Sequence, residues 1–282
     1  MTLNLPDTFG FDPFLSHVGE ITNTGAELSI NWSTELNDNF SYSIGTNMAY
    51  NKNELSKISN QFFTNQIGGS INNGQYTKMV SLGQSLGSFF LYEVDGIDDR
   101  GEFVYKDQNN DGEINEDDRR FFGSFIPSFT SSLNFKASYK NIDFNLDTFG
   151  SFGNKVYNGK KAQRFGNENM EQYVFNNRWT TQRSSNTTPR ASNNVPLSSN
   201  YFLESGDFLR INNITVGYSF KASKLKLFNK IRVYATAKNP LILKRFSGYT
   251  PELPGDPLGS AGIELDAYPT LSSYFMGINI LF

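Results

Sequence analysis

One acidic stretch of the sequence has the residue types and spacing of a calcium loop. Residues 106–119 read KDQNNDGEINEDDR and contain six acidic side chains. Oxygen ligands at loop positions 1, 3, 5, 7, 9 and 12, with Gly at position 6, form the EF-hand type of calcium geometry. Those positions are occupied here by Asp107, Asn109, Asp111, Glu113, Asn115 and Asp118, with Gly112 at the turn. The stretch therefore predicts a structural Ca²⁺ site.

A solvated surface turn is the alternative for this stretch. Position 12 is Asp118 instead of the longer Glu of the standard pattern, which makes bidentate closure harder. No helical pattern precedes the loop, and Asn, Asp and Gly are common in turns that bind nothing. If the loop does bind Ca²⁺, we expect Ile114 to pack inward as its hydrophobic tie.

The single histidine of the sequence gives no evidence of a catalytic site. His17 is the one histidine and the chain has no cysteine. No nucleophile-elbow or zinc-protease motif surrounds His17, and we predict no enzyme activity. The net charge of −3 gives no basic surface for nucleic acid.

Seven stretches alternate between apolar and polar residues and predict β-strands. They are residues 26–36, 39–50, 128–139, 141–152, 208–220, 230–238 and 272–282. Their charged residues lie on the polar stripe, so a slip of one residue would invert the faces and the register is firm. In the fifth stretch Arg210 and Asn212 share a stripe with Ile214, which predicts a bulge or a strand end there.

Two all-β architectures fit this alternation. A soluble β-sandwich buries the apolar stripe under a second sheet, whereas an outer-membrane barrel turns it to lipid. The stretches are long enough for tilted membrane strands of ~9–11 residues. Short connections alternate with long ones at 53–126, 153–206 and 239–270, as in outer-membrane barrels. Aromatic residues near the strand ends also suit a membrane interface.

The strand count predicts a piece of a larger barrel. Seven is odd, and an open sheet in lipid would leave its edge groups unpaired. The first residues, MTLNLPDTFGFD, also lack the basic and apolar regions of a signal peptide. We therefore expect the first strand to pair with sequence outside this chain.

Dispersed motifs resemble the C-terminal portion of the SusC/RagA-family TonB-dependent outer-membrane transporters of Bacteroidota. They include HVGEITNTGAELSINW, NMAYNKNEL, LGQSLGSFFLYEVDGI, YKDQNNDGEINEDDRRFFGSFIPSF, GDFLRINNITVGYSF, NPLILKRFSGYTPE and the closing YPTLSSYFMGINILF. The motif LGQSLGSFFLYEVDGI departs from the family pattern, with Ser85 where Pro is usual and Leu91 where Gly is usual. The resemblance covers nearly all of residues 1–282.

The resemblance implies the last seven strands of a 22-stranded transmembrane barrel, with Phe282 at its periplasmic end. It implies an importer of oligosaccharides or peptides in the outer membrane, in contact with lipid and the remainder of the barrel. Its partners would be a SusD-like lipoprotein lid and TonB, which acts on N-terminal regions that this sequence lacks.

We expect substrate contacts in the long loops, at Trp179, Tyr249 and Tyr268. The basic segment 153–165 would contact a partner lid or lipid phosphates, or would simply be solvated. The rival function is a soluble calcium-dependent carbohydrate-binding β-sandwich at the cell surface. A second layer of protein over Leu28, Phe144 and Met276 would favour that rival.

Overall fold

A computed structural model describes residues 2–3, 14–15, 19–58, 67–164, 169–221 and 229–281. The strands in chain order are β1 (Thr2–Leu3), β2 (Phe14–Leu15), β3 (Gly19–Asn37), β4 (Phe40–Ile58), β5 (Ile67–Gly68), β6 (Lys78–Met79), β7 (Ser88–Leu91), β8 (Val94–Ile97), β9 (Phe103–Tyr105), β10 (Arg120–Ser124), β11 (Phe129–Tyr139), β12 (Ile142–Phe152), β13 (Lys155–Asn158), β14 (Leu203–Ser205), β15 (Phe208–Lys221), β16 (Lys230–Lys244), β17 (Ile263–Glu264) and β18 (Ser273–Leu281). The helices are α1 (Gly159–Gln163) and α2 (Gln172–Asn177), with 3₁₀ turns at Glu116–Asp118 and Asn200–Phe202. Among these residues no helix is long and apolar enough to cross a membrane.

The seven predicted strands form one antiparallel sheet in chain order. Its order is β3, β4, β11, β12, β15, β16, β18, so each strand pairs with its neighbours along the chain. The short connections therefore lie at one end of the sheet and the three long ones at the other. His17, Phe282 and residues 222–228 of the third predicted short connection lie outside the described residues.

The strand boundaries differ from the prediction at the end that carries the long connections. Strand β3 starts at Gly19 and β4 continues to Ile58, so the long loop begins later than residue 53. From Asn51 to Glu54 both stripes of β4 are polar, which removes the alternation that marks a strand in the sequence. Strand β16 passes Pro240 and ends at Lys244.

An irregularity shared by β15 and β16 explains why Pro240 can lie within a strand and why the alternation of the fifth stretch is interrupted. The register shifts at Asn212 against both neighbours, between Ile211 and Asn213 on the β16 side. Opposite it, Asn239 has a φ of 47°. A bulge removes a residue from the ladder, and this allows Pro, which lacks an N–H, to lie within a strand. The predicted bulge is confirmed.

One face of the sheet is apolar and uncovered. Leu28 is 52% exposed and Met276 90% exposed, and the described residues include no second sheet across this face. The same face exposes Ile30, Trp32, Leu36, Ile44, Met48, Leu133, Ile142, Val216, Val233 and Ile278. The layer that a β-sandwich requires is therefore missing from the described part of the chain.

Aromatic residues flank this apolar face near the short turns. Phe40 lies against Tyr42 and Tyr139, with ring centroids 6.0 and 6.3 Å away. On a more distant strand, the Tyr218 and Phe220 rings are 4.7 Å apart. Their position at the strand ends agrees with the predicted interfacial girdle.

The opposite face of the sheet is polar and hydrogen-bonded across strands. The Asn47 amide donates to Ser132 Oγ at 3.3 Å and accepts from Ser29 Oγ at 2.7 Å. Asp147 accepts from Asn145 Nδ2 at 2.7 Å and also from Asn134. Such a face suits a water-filled interior.

The three long connections fold together into a loop layer that has its own hydrophobic core. This layer comprises a four-stranded sheet (β10, β7, β6, β5), a three-stranded sheet (β14, β13, β17) and the β8–β9 hairpin. The core consists of Ile71, Phe89, Leu91, Tyr157, Ala162, Phe202 and Ile263. Since these residues come from all three connections, the loops form one packed unit.

Candidate functional site

A cavity of about 350 Å³ opens in the loop layer. Its charged lining residues are the cations Lys160, Lys161, Arg164, Arg178 and Arg190 and the anions Glu171 and Glu264. Its apolar lining includes Met170, Val174, Tyr201, Phe202 and Tyr249. The volume falls at the lower end of the range for small-ligand sites.

Helix α1 places the two lysines at the cavity wall. Its N-cap is the buried Asn158, whose side chain accepts from the Lys161 amide at 3.0 Å. A Cβ on Gly159 would lie 2.7 Å from Leu265 Cδ2 and 2.9 Å from the Glu264 carbonyl oxygen. The helix therefore packs directly on β17, which carries Glu264.

A second group of hydrogen bonds fixes the wall that carries Tyr249. Glu204 accepts from the Ser247 amide at 2.7 Å and from its hydroxyl at 2.8 Å. The Asn158 side chain donates to Glu204 at 3.1 Å and to Ser247 Oγ at 3.1 Å. One buried asparagine thus holds both α1 and the 247–249 segment.

Three of the cavity cations lie near aromatic rings. The Lys160 ammonium is 4.3 Å from the centroid of Tyr249, and the Lys161 ammonium is 5.0 Å from that of Tyr201. The Arg178 guanidinium is 4.9 Å from Phe175. Within the described chain these three cations make no ion pair with a carboxylate, whereas Arg190 pairs with Glu102.

Glu264 is a buried carboxyl at the cavity. It is 1% exposed, and neither of its oxygens makes a hydrogen bond of ordinary geometry among the described residues, although the Ala267 amide lies close enough to act on the carboxyl group. Burial raises the pKa of Glu264, and the Lys160 charge offsets this only in part. A buried carboxyl without partners is costly, because its lost hydration is not replaced.

The structure separates the three residues predicted to contact substrate. Tyr249 lines the cavity. Trp179 follows Arg178 but packs on Gly101, where a Cβ would lie 2.6 Å from its ring. Tyr268 is 91% exposed and does not line the cavity.

Sequence reasoning did not identify Arg178, Arg190 or Glu264 as site residues. They come from segments far apart in the chain and form no motif. It did single out the basic segment 153–165, and Lys160, Lys161 and Arg164 from that segment line the cavity.

The acidic loop folds around its own backbone amides. Asp107 accepts from the amides of Asn110 at 2.7 Å and Gly112 at 2.8 Å. Asp111 accepts from the Glu113 amide at 2.9 Å. Gly112 has a φ of 87°, the left-handed conformation expected for the turn.

Asp118 closes the loop as a capping residue. It is buried and accepts from the amides of Gln108 at 2.7 Å and Asn115 at 2.9 Å. These amides lower the pKa of Asp118. Ile114 is 41% exposed in this structure, and its docking in a Ca²⁺-bound loop stays a prediction.

The described residues hold no group of three or more His, Cys, Asp or Glu side chains placed to bind a metal ion. Of the six predicted ligands, only the carboxylates of Asp107, Asp111, Glu113 and Asp118 belong to those residue types. The calcium site stays a prediction.

Comparisons with known proteins identify relatives along nearly the whole chain. No protein-family model matches it. The TonB-dependent receptor SusC of Bacteroides thetaiotaomicron is 27% identical over 277 residues, which cover 94% of this chain and 27% of the receptor. The TonB-dependent receptor P3 of Formosa agariphila is 26% identical, covering 99% of this chain and 30% of the receptor.

Solved structures of the RagAB peptide transporter share the fold. One aligns with a TM-score of 0.80 and 21% identity, covering 98% of this chain and 31% of the matched chain. A second, in an open-open state, aligns with a TM-score of 0.78 and 22% identity. The chain thus spans about a third of the length of the proteins that it matches.

Proposed function

Because this chain belongs to the SusC/RagA-type TonB-dependent receptors, which lie in the outer membrane, we propose that it forms part of an importer of glycans or peptides. In this proposal the seven-stranded sheet is part of the wall of a transmembrane barrel. The loop layer lies at the cell surface, and the polar face lines the path of the substrate.

The observation that supports this function best is the contrast between the two faces of the sheet. The apolar face is bare, with Met276 90% exposed, while the polar face is joined by side-chain hydrogen bonds such as that between Asn47 and Ser132. Lipid on one side and water on the other would satisfy both faces.

We further propose that the importer works with partners and makes or breaks no bond. A SusD-like lipoprotein would cover the loop layer, and TonB would supply energy through regions outside this chain. The similarity to SusC and to RagAB, which is named as a peptide transporter, supports the partnership. The rest of the barrel would pair with the free edges of β3 and β18.

A genetic test separates the two substrate classes. The gene that carries this chain is deleted, and cells are grown with either an oligosaccharide mixture or a peptide mixture as the limiting nutrient. We expect slower growth on one mixture, restored by the intact gene. Equal growth of deleted and parental cells on both mixtures, with no protein in the outer-membrane fraction, would contradict the proposal.

A further inference from the structure

The cavity in the loop layer combines charges in a way that selects one kind of ligand. Its lining holds five cations against two anions, and one of the five cations, Arg190, is paired with Glu102. An anionic group is therefore attracted to it. Arg and Lys side chains bind carboxylate and sulfate groups through charge-assisted hydrogen bonds.

The two lysines are held in place without being neutralised. Each ammonium lies near an aromatic ring, Tyr249 for Lys160 and Tyr201 for Lys161. A ring positions the cation while leaving its hydrogen-bond donors available. Neither lysine pairs with a carboxylate of the described chain, so both ammonium groups are available to bind an anionic group of a ligand.

Glu264 adds a second requirement for the ligand, namely groups that can donate hydrogen bonds to a carboxylate. It is almost fully buried, and its two oxygens accept no hydrogen bond of ordinary geometry from the described residues, although the Ala267 amide acts on the carboxyl group. Two adjacent acceptors match two neighbouring hydroxyl groups. A ligand ammonium fits this position less well, because the Lys160 and Arg164 charges already act on Glu264.

We propose that the cavity binds an acidic sugar residue: the two lysines and Arg178 hold its carboxylate or sulfate, and Glu264 accepts hydrogen bonds from its hydroxyl groups. The tyrosine and phenylalanine rings of the wall contact the apolar side of the sugar. The volume suits an end group better than a long oligomer. This inference rests on the proposed importer and narrows its substrate to acidic glycans.

The test is calorimetric titration of the protein purified from outer membranes in detergent. The probes are digalacturonic acid, a sulfated galactose, the neutral disaccharide galactobiose and the dipeptide aspartyl-aspartate. We expect digalacturonic acid or the sulfated sugar to bind more tightly than galactobiose and the dipeptide. The affinity for the acidic sugar should fall as salt is raised, because the contacts are ionic.

Two variants locate the site. Lys160→Gln and Lys161→Gln should each weaken binding of the acidic sugar about tenfold, the effect of one charge-assisted hydrogen bond. Lys155→Gln is the matched control, since this lysine precedes α1 but does not line the cavity. Heat-dependent gel migration shows whether each variant is folded.

The selectivity of the unmodified protein among the four probes tests the acidic-sugar proposal even if the variants do not fold. Galactobiose or the dipeptide binding as tightly as the acidic sugars overturns the proposal, and so does an absence of binding by all four probes. The importer itself is judged separately, by growth and outer-membrane location. Growth on peptides or neutral glycans without acidic-sugar binding would overturn this inference alone.

Discussion

At the scale of single residues, Lys78 joins two distant parts of the loop layer. It is fully buried, and its ammonium donates to the carbonyl oxygens of Pro257 at 2.9 Å, Gly259 at 3.2 Å and Ala261. The rings of Phe89 and Phe125 lie 5.6 and 4.9 Å from it. Three donors on one ammonium group thus meet three carbonyl oxygens of the 257–261 segment.

Replacing Lys78 by Met keeps the length of the side chain and removes the donors. We expect the loop layer to lose about 1–3 kcal/mol, because buried carbonyls are left unsatisfied. Hydrogen exchange should become faster at the amides of Gly259 and Ala261. Lys106→Met, at a half-exposed lysine, should leave these amides unchanged. Unaltered exchange in the Lys78 variant would contradict the role assigned to Lys78.

Lys78 also gives the loop layer a pH dependence. Burial lowers the pKa of Lys78 from 10.5 to about 8. Between these values the unfolded chain binds more protons than the folded one, so this group's contribution to stability rises with pH. The stability of the wild type relative to Lys78→Met should therefore be greater at pH 10 than at pH 7. Thermal unfolding of both proteins at the two pH values measures this.

The acidic loop carries the calcium prediction. Asp111→Asn keeps an oxygen that can accept from the Glu113 amide and removes one negative charge. If Ca²⁺ binds, this change should weaken it about tenfold or more, since carboxylate charge sets affinity in such loops. The control is Asp98→Asn in a neighbouring turn, where the side-chain oxygen accepts from Arg100 and Glu102. Calorimetry with Ca²⁺ that shows no heat for the parent protein would remove the site.

At the scale of elements, close packing on the polar face requires glycine at one strand position. Arg232 binds Asp143 through two hydrogen bonds, of 2.8 and 2.5 Å. A Cβ on Gly217 would lie 2.5 Å from Asp143 Oδ1 and 2.6 Å from Arg232 Nε. The glycine leaves the space that the ion pair occupies.

Gly217→Ala should disrupt this ion pair. We expect a loss of about 1–3 kcal/mol, typical of overpacking at a fixed site. The midpoint temperature of heat-dependent gel migration should fall. Gly96→Ala is the control, because its Cβ would meet nothing within 4 Å. An equal midpoint for both variants would show that the contact is not needed.

The strands could be predicted where one face is apolar and the other polar. That contrast fixed the register and even indicated the bulge at Asn212. The contrast disappears in the last residues of β4, so the sequence predicts a loop from residue 53 where the structure continues as a strand to Ile58. The loop layer could not be predicted, because Ile71, Tyr157 and Ile263 meet from distant segments and follow no period. Of the three expected substrate residues, Tyr249 lines the cavity and Trp179 and Tyr268 do not, and their contacts with substrate stay predictions.

At the scale of the whole molecule, the bare apolar face requires lipid. Ile44 and Ser43 are neighbours in β4 with side chains on opposite faces. Arg in place of Ile44 should cost about 2–4 kcal/mol near the middle of the membrane. Ser43→Arg should cost much less, because its side chain faces water. Reduced outer-membrane levels in the first variant alone are expected, and equal levels would contradict a lipid-facing surface.

The nearest-neighbour order of the sheet has a mechanical consequence. A force applied to the C-terminal end meets β18 first, and among the described residues β18 pairs with β16. Within this sheet the strands should therefore come away in reverse chain order. The exception is the clasp between Lys78 and residues 257–261, which links the first long connection to the last. Extraction would have to break that clasp early, so resistance to pulling begins in the loops.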